Sequence, residues 1–205
     1  MTANIFWLGH DSFRLTGEKV VYVDPWKLAA GAEPADVILV THDHYDHLSP
    51  DDIAKISKPG TVVVAPSAVA AKMPAVTVVK PGDHLTVAGV AVEVVPAYNT
   101  NKKFHPQAAA HVGYIVTLNG KRIYHAGDTD LIPEMAQIKC DIALLPVSGT
   151  YVMTALEAAE AANTIRPALA IPMHWGDAAV VGARADAEEF QRRAQVPVEI
   201  LDKTG

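Results

Sequence analysis

Cysteine and long apolar runs are nearly absent from this sequence. The single cysteine, Cys140, cannot form an internal disulfide, and we expect it to lie buried at the start of a strand rather than to act as a reactive thiol. No uninterrupted apolar stretch approaches the length that spans a membrane, and residues 1–10 lack the charged start and apolar core of a signal peptide. We therefore expect a cytoplasmic protein that does not associate with membranes.

Basic residues are scarce as well. The chain has 17 Lys and Arg against 23 Asp and Glu, and no basic run is longer than a pair such as Lys102-Lys103. Because nucleic-acid binding usually requires a basic stripe, this composition predicts no nucleic-acid partner and favours a small-molecule substrate. At 205 residues the chain suits a single domain over residues 1–205, and a homo-oligomer stays open.

Short strands alternate with helices in two similar halves of the chain. The apolar pattern predicts strands over residues 5–8, 12–15, 19–23, 36–40, 61–65, 76–79, 84–87, 90–95, 112–118, 121–125, 141–145, 168–171 and 198–201. It predicts helices over residues 49–57, 67–72, 154–163 and 184–194. This order favours two mixed β-sheets packed face to face with helices on the outer faces, an αββα sandwich.

Local signals mark several of these element ends. Ser49 followed by Pro50 predicts a helix N-cap and a first helical position. Thr154 and Glu157 have the spacing of a capping box, and Asn119-Gly120 between two strands is a favoured hairpin turn.

A histidine-rich segment follows the predicted strand over residues 36–40. It reads Thr41-His42-Asp43-His44-Tyr45-Asp46-His47. In an extended segment His42 and His44 project to the same side, so both can bind one ion. The chain then turns into the next helix, which lets Asp46 and His47 reach a second ion. Isolated histidines differ from this group, and we interpret His84 as a surface residue.

Two further ligand candidates, Asp128 and His174, follow later strands, and His174 comes after the strand over residues 168–171. Asp128 comes after the strand over residues 121–125, and Gly127 before it allows a close backbone approach. An anionic ligand shared between two ions offsets their repulsion, and Asp128 is the natural candidate for that position. Imidazole and carboxylate ligands suit two divalent ions, with zinc favoured and manganese, iron or nickel also compatible.

Five motifs in this chain resemble those of the metallo-β-lactamase superfamily. The resemblance covers nearly the whole chain and is greatest to small metal-dependent hydrolases related to ascorbate-phosphate lactonase. The motifs are Gly9-His10-Asp11-Ser12-Phe13, Val23-Asp24-Pro25, the segment Thr41 to His47, His125-Ala126-Gly127-Asp128-Thr129 and Ile171-Pro172-Met173-His174-Trp175-Gly176. The resemblance implies the αββα sandwich.

The resemblance also implies metal ligands by position. It assigns His42 and His44 to the first ion, Asp46, His47 and His174 to the second, and Asp128 to both. It further implies that Asp24 hydrogen-bonds the metal-binding loop, although a simple turn before Pro25 is the alternative. His125 is expected to orient Asp128 or to pack at the strand end.

The sequence departs from the family pattern at Asn99. Members of the family place a third histidine for the first ion on the loop after the strand over residues 90–95, where this chain has Asn99. An amide oxygen is a weak ligand, so the first site is expected to be open or weakly occupied. His105 is a competing third ligand, and His111 or water are further alternatives.

The predicted activity is hydrolysis of a small ester, lactone or phosphoester by a metal-bound hydroxide. Asp46, Asp128 and His174 are the predicted catalytic residues. Candidates for substrate contact are His10, Tyr98, Asn99, His105, Tyr151 and Trp175. The alternative is a metal-stabilised binding module with weak or no catalysis.

Overall fold

Two six-stranded β-sheets form the centre of the molecule, which the computed structural model describes over residues 2–204. The first sheet contains, in spatial order, β1 (Ile5–Gly9), β2 (Ser12–Thr16), β3 (Val20–Val23), β4 (Val37–Leu39), β5 (Val62–Pro66) and β6 (Thr77–Val79). The second contains β7 (His84–Val87), β8 (Val90–Pro96), β9 (Val112–Leu118), β10 (Lys121–His125), β11 (Ile142–Pro146) and β12 (Leu169–Met173), in the spatial order β12-β11-β10-β9-β8-β7.

Both sheets are mixed. In the first sheet, β1 to β3 pair antiparallel and β3 to β6 pair parallel. In the second sheet, β7 to β10 pair antiparallel and β10 to β12 pair parallel. Asn119 and Gly120 both have positive φ in the β9–β10 turn, as the predicted hairpin requires.

The sheets pack face to face around a shared core. Along β4, Val37 and Leu39 belong to the core between the sheets, while Ile38 belongs to a second cluster on the outer face of the first sheet. This alternation follows from the two-residue period of a strand, with both faces covered. The αββα sandwich predicted from the sequence is therefore confirmed.

Four helices cover the outer faces. They are α1 (Pro50–Ile56), α2 (Ser67–Lys72), α3 (Ala155–Ile165) and α4 (Arg184–Arg193). Helices α1 and α2 supply Ile53, Ile56 and Val69 to the cluster outside the first sheet, and α3 and α4 contact β11 and β12 of the second. Within residues 2–204 we find no helix with the length and apolar character that crossing a membrane requires.

The predicted helix starts are confirmed. The Ser49 side chain accepts a hydrogen bond from Asp52 N at 3.3 Å, and Pro50 begins α1. Thr154 and Glu157 form the capping box of α3. Each of these caps involves residues within one helical turn, so it forms without contacts from distant parts of the chain.

Two predictions from the sequence differ from the structure, one for residues 198–201 and one for Cys140. Residues 198–201 do not form a strand, because only Val198 bridges β12, at Ala170. The chain then moves to the other sheet, where Thr204 N donates to Trp7 O at 2.8 Å. Cys140 is half-buried rather than buried, and it precedes β11.

Candidate metal centre

Asp24 fixes the histidine-rich loop that follows β4. The carboxylate accepts hydrogen bonds from Thr41 N at 2.8 Å, Thr41 Oγ1 at 2.6 Å and His47 Nδ1 at 2.8 Å. Since a carboxylate can only accept, His47 carries a proton on Nδ1, and Nε2 is the nitrogen that can bind an ion. These are the hydrogen bonds that the family resemblance implied for Asp24.

Three imidazoles converge on one side of the centre. His42 Nε2 lies 3.0 Å from His44 Nδ1, and His105 Nε2 lies 3.2 Å from the same His44 atom. Burial lowers the pKa of His42 well below its ordinary value, and burial followed by the charge of His105 lowers the pKa of His44. Neutral imidazoles with converging lone pairs are suited to bind a cation.

His105 therefore occupies the place that the sequence analysis left open. The ligand atoms of His42, His44 and His105 all lie within 4.8 Å of one another. Of the alternatives for the third ligand of the first ion, the geometry favours His105 over an open site. His111 is buried but lies outside this ligand group, with Nε2 3.9 Å from Asp43 Oδ1.

Asp128 lies between this group and a second set of ligand atoms. Its Oδ2 is 3.2 Å from His105 Nε2 and 3.4 Å from His174 Nε2, and its Oδ1 is 3.3 Å from His47 Nε2. Burial raises the pKa of Asp128, but the charges of His47 and His174 outweigh it and hold that pKa well below the ordinary value. An ionised carboxylate in this position is suited to bridge two cations.

Ser148 orients His174 and is a residue that the sequence analysis missed. Its Oγ lies 2.7 Å from His174 Nδ1, which leaves Nε2 directed at Asp128. His174 adopts a left-handed φ of 62°, and His174 N donates to His10 O at 3.1 Å. No sequence signal marks Ser148, because it stands 26 residues before its partner on a different loop.

The donor set fits divalent ions. His47 Nε2 and Asp128 Oδ1 are buried and have no hydrogen-bond partner. Buried polar atoms are rarely left unpaired, because desolvation without compensation costs about 1–3 kcal/mol each. Two ligand atoms at about 2.1 Å from one ion are about 3–4 Å apart, and the ligand atoms here lie 3.0–3.9 Å apart.

Asp46 is a predicted ligand that is only partly buried. Its Oδ2 is 3.1 Å from His10 Nε2 and 3.9 Å from His47 Nε2. Burial raises the pKa of Asp46, but the hydrogen bond from His10 and the charge of His47 lower it to about 2. Asp46 thus remains ionised at the edge of the second set of ligand atoms.

A pocket of about 590 Å³ opens over the centre. Of the six residues predicted to contact substrate, His105 and Tyr151 line it. His10 does not, because it turns inward after β1 and packs 4.2 Å from the His174 ring. Trp175 is 5% exposed and stacks on Trp7 in the core.

Tyr98 and Asn99, the remaining two candidates for substrate contact, instead form hydrogen bonds with other parts of the protein. Tyr98 directs its hydroxyl at Glu134 and lies outside the pocket lining. Asn99 donates from Nδ2 to Tyr151 O at 2.8 Å and accepts at Oδ1 from His105 N at 2.9 Å. Asn99 therefore holds the loop that presents His105.

Two histidines have no place in the centre. His125 Nε2 donates to Asp11 O at 2.9 Å, so its ring packs at the end of β10, as one of the two sequence interpretations stated. His84 is exposed at the start of β7, as predicted.

Comparisons with known proteins identify the family of this chain. Residues 4–174 match the family model of the β-lactamase superfamily domain. A metal-dependent hydrolase of Thermoplasma acidophilum is 35% identical, with 93% of this chain and 90% of that protein covered. A metal-dependent hydrolase of Methanoculleus marisnigri is 36% identical, with 91% of this chain and 86% of that protein covered.

A solved structure gives the same result for the fold. The protein from Parabacteroides distasonis, assigned as a metal-dependent hydrolase, has a TM-score of 0.87 and 36% identity to this chain. The match covers 98% of this chain and 93% of that one. The chain therefore belongs to the metallo-β-lactamase superfamily, in its branch of small metal-dependent hydrolases.

Proposed function

We propose that this protein hydrolyses a small, uncharged ester or lactone that carries an apolar or aromatic group. The observation behind this choice is the lining of the pocket over the metal centre. Its floor is formed by His44, Asp46, His105, Asp128 and His174, and its walls by Tyr45, Phe104, Tyr151 and residues 178–181. None of these lining residues, all within the described part of the chain, is Lys or Arg.

The walls favour an apolar substrate. Tyr45 and Phe104 are 66% and 39% exposed, which is unusual for large hydrophobic side chains unless they meet a ligand or partner. Phe104 packs edge to face with Tyr151 at a ring distance of 4.6 Å. These aromatic faces and the aliphatic side chains of residues 178–181 offer a surface for an alkyl or aryl group.

The charges around the pocket disfavour a phosphorylated substrate. Lys102 Nζ lies 2.6 Å from the buried Asp130, and Lys27 Nζ lies 2.8 Å from Asp177, so both cations are already paired. Proteins usually hold a substrate phosphate with Arg or Lys. An ester or lactone needs no such cation beyond the metal centre.

The residues have distinct proposed roles. His42, His44 and His105 would hold one ion, His47 and His174 with Asp46 the other, and Asp128 both. Bound divalent ions supply Lewis-acid chemistry and lower the pKa of water. Asp46 lines the pocket, and its carboxylate can accept or return a proton at the substrate. His174 also lines the pocket, but Ser148 holds its Nδ1 and the ion would occupy its Nε2, so its role is that of a ligand.

The complete ligand set also supports an enzyme over the binding module. The binding-module alternative rested on a first metal site with only two histidines, and His105 offers a third imidazole at that site. We also propose a cytoplasmic location and a small-molecule substrate. The acidic composition supports the further proposal that the protein has no nucleic-acid partner.

Substrate turnover tests the proposal. The zinc-loaded protein is assayed with p-nitrophenyl butyrate, an aromatic lactone and bis(p-nitrophenyl) phosphate. We expect the highest kcat/KM for the uncharged ester or lactone, and loss of that activity in Asp128→Ala. A higher kcat/KM for the phosphodiester would contradict the substrate class, and no turnover of any substrate would favour the binding module.

A further inference from the structure

Asp11 is a buried carboxylate without a partner beside the metal centre. It follows His10 in the turn between β1 and β2, and it is 0% exposed. Neither of its side-chain oxygens has a hydrogen-bond partner. Burying a carboxyl group in this way costs free energy unless a cation or donors compensate it. The position therefore calls for a compensating charge, which a bound cation would supply.

The atoms around Asp11 belong to a group of side chains that could hold a metal ion. Its Oδ2 lies 3.8 Å from His47 Nε2, the atom that Asp24 leaves free by holding Nδ1. Among the described residues, His47 is the one basic group within ion-pair distance of Asp11. His10, Asp11, His47 and His174 each offer a ligand atom within 4.8 Å of the others.

The second carboxylate nearby strengthens the argument. Asp128 approaches the same nitrogen atom, with its Oδ1 3.3 Å from His47 Nε2. Two carboxylates around one nitrogen atom repel each other unless a cation or a proton lies between them. A separation of 3.8 Å also falls in the range of about 3–4 Å expected for two ligands of one ion.

We propose that Asp11 supplies an additional carboxylate ligand to the ion held by His47 and His174. The two ions then have different surroundings. The first has three imidazoles and the shared Asp128, whereas the second has Asp11, Asp46 and Asp128 beside two imidazoles. An oxygen-rich set suits harder ions such as manganese better than an imidazole set does. The inference depends on the metal centre and not on the substrate class.

Metal binding by Asp11→Asn tests the proposal, because the substitution keeps the size and removes the charge. Zinc affinity is measured by competition with a chromophoric chelator. Zinc content is measured by elemental analysis after dialysis. We expect one equivalent to bind at least about tenfold more weakly and the other to be unchanged. The matched control is Ser12→Ala, at the neighbouring buried residue whose Oγ accepts from Trp26 N at 3.4 Å. It should keep both equivalents.

Thermal unfolding separates a ligand from a merely structural residue. Without metal, Asp11→Asn should unfold at the same or a higher temperature than the wild type, because an unpartnered carboxyl has been removed. With zinc, its gain in Tm should be smaller than that of the wild type. Wild-type affinity for both equivalents, or a lower Tm without metal and an unchanged gain with zinc, would overturn the proposal. Asp11→Ser carries the same expectations if the asparagine variant does not fold.

Discussion

Asn99 and His105 hold each other across a short loop. Asn99 N donates to His105 O at 2.7 Å, and His105 N donates to Asn99 Oδ1 at 2.9 Å. These bonds close the loop so that the His105 ring faces His44 and Asp128. The amide at residue 99 thus holds the loop of the metal centre, and the candidate for the third imidazole lies six residues further along the chain.

Removal of His105 should cost the protein one metal ion. In His105→Ala the first ion keeps His42 and His44 but loses its third imidazole, so we expect its affinity to fall by about 100-fold or more. Titration with zinc followed by elemental analysis measures this loss. His84→Ala, at an exposed position, is the control and should bind both ions normally. Unchanged zinc content in His105→Ala would contradict the ligand assignment.

Asn99→Ala should weaken the first ion indirectly. The variant leaves His105 N without its acceptor and removes one of the two donors to Tyr151 O. This should destabilise the protein by about 1–3 kcal/mol. His105 remains available as a ligand, so the affinity should fall less than in His105→Ala. Calorimetric titration and urea unfolding measure the two effects. Asn99→His should not add a ligand, and tighter metal binding in that variant would show that the first site is open.

Asp24→Asn should affect both stability and the second ion. The amide cannot accept all three hydrogen bonds from Thr41 and His47, and we expect a loss of about 2–3 kcal/mol. The His47 ring also loses the acceptor that orients it, so the affinity for the second ion should fall by about 10- to 100-fold. Urea unfolding and zinc competition measure these changes. Asp141→Asn, at the far end of β10 and β11, is the control for substitution of a hydrogen-bonded aspartate. Equal zinc affinity in Asp24→Asn and the wild type would rule out the orienting role.

The metal-free protein should lose stability in mild acid. Burial lowers the pKa of His10 and of His111 to about 4, whereas an unfolded histidine titrates near 6.5. The unfolded chain therefore binds more protons between these values, and stability falls as the pH drops from about 6.5 to about 4. His47 behaves differently. Burial lowers its pKa, but the charges of Asp128 and Asp24 outweigh burial and raise that pKa above the ordinary value. The stability that His47 contributes is therefore lost only as the pH rises above about 6.5.

Unfolding temperatures measured in chelator from pH 4 to 8 test this dependence. His111→Gln removes one of the two histidines and keeps every member of the candidate ligand groups, although the His111 ring packs 4.9 Å from that of His42. The stability of this variant should therefore vary less with pH in the acidic range. Zinc should raise the unfolding temperature most at neutral pH and progressively less in acid, because protons compete with the metal for the ligand nitrogen atoms. A flat stability profile between pH 6.5 and 4 would contradict the prediction.

The sequence by itself determined the elements and the types of ligand. The cap at Ser49, the capping box at Thr154 and the turn at Asn119-Gly120 act within a few residues, so they appear in the structure where they were predicted. The segment Thr41 to His47 likewise carries its own ligands, because alternation along an extended chain places them on one side.

Tertiary structure decided which residues complete the site. His105 reaches His44 across 61 residues of sequence, and this contact exists because the two sheets pack face to face and bring the loops after β4 and β8 together. The same packing turns Trp175 into the core against Trp7 and leaves Asp11 buried beside His47. Periodicity and motif spacing describe a chain in one dimension, whereas these contacts depend on the relative positions of strands that are far apart in sequence.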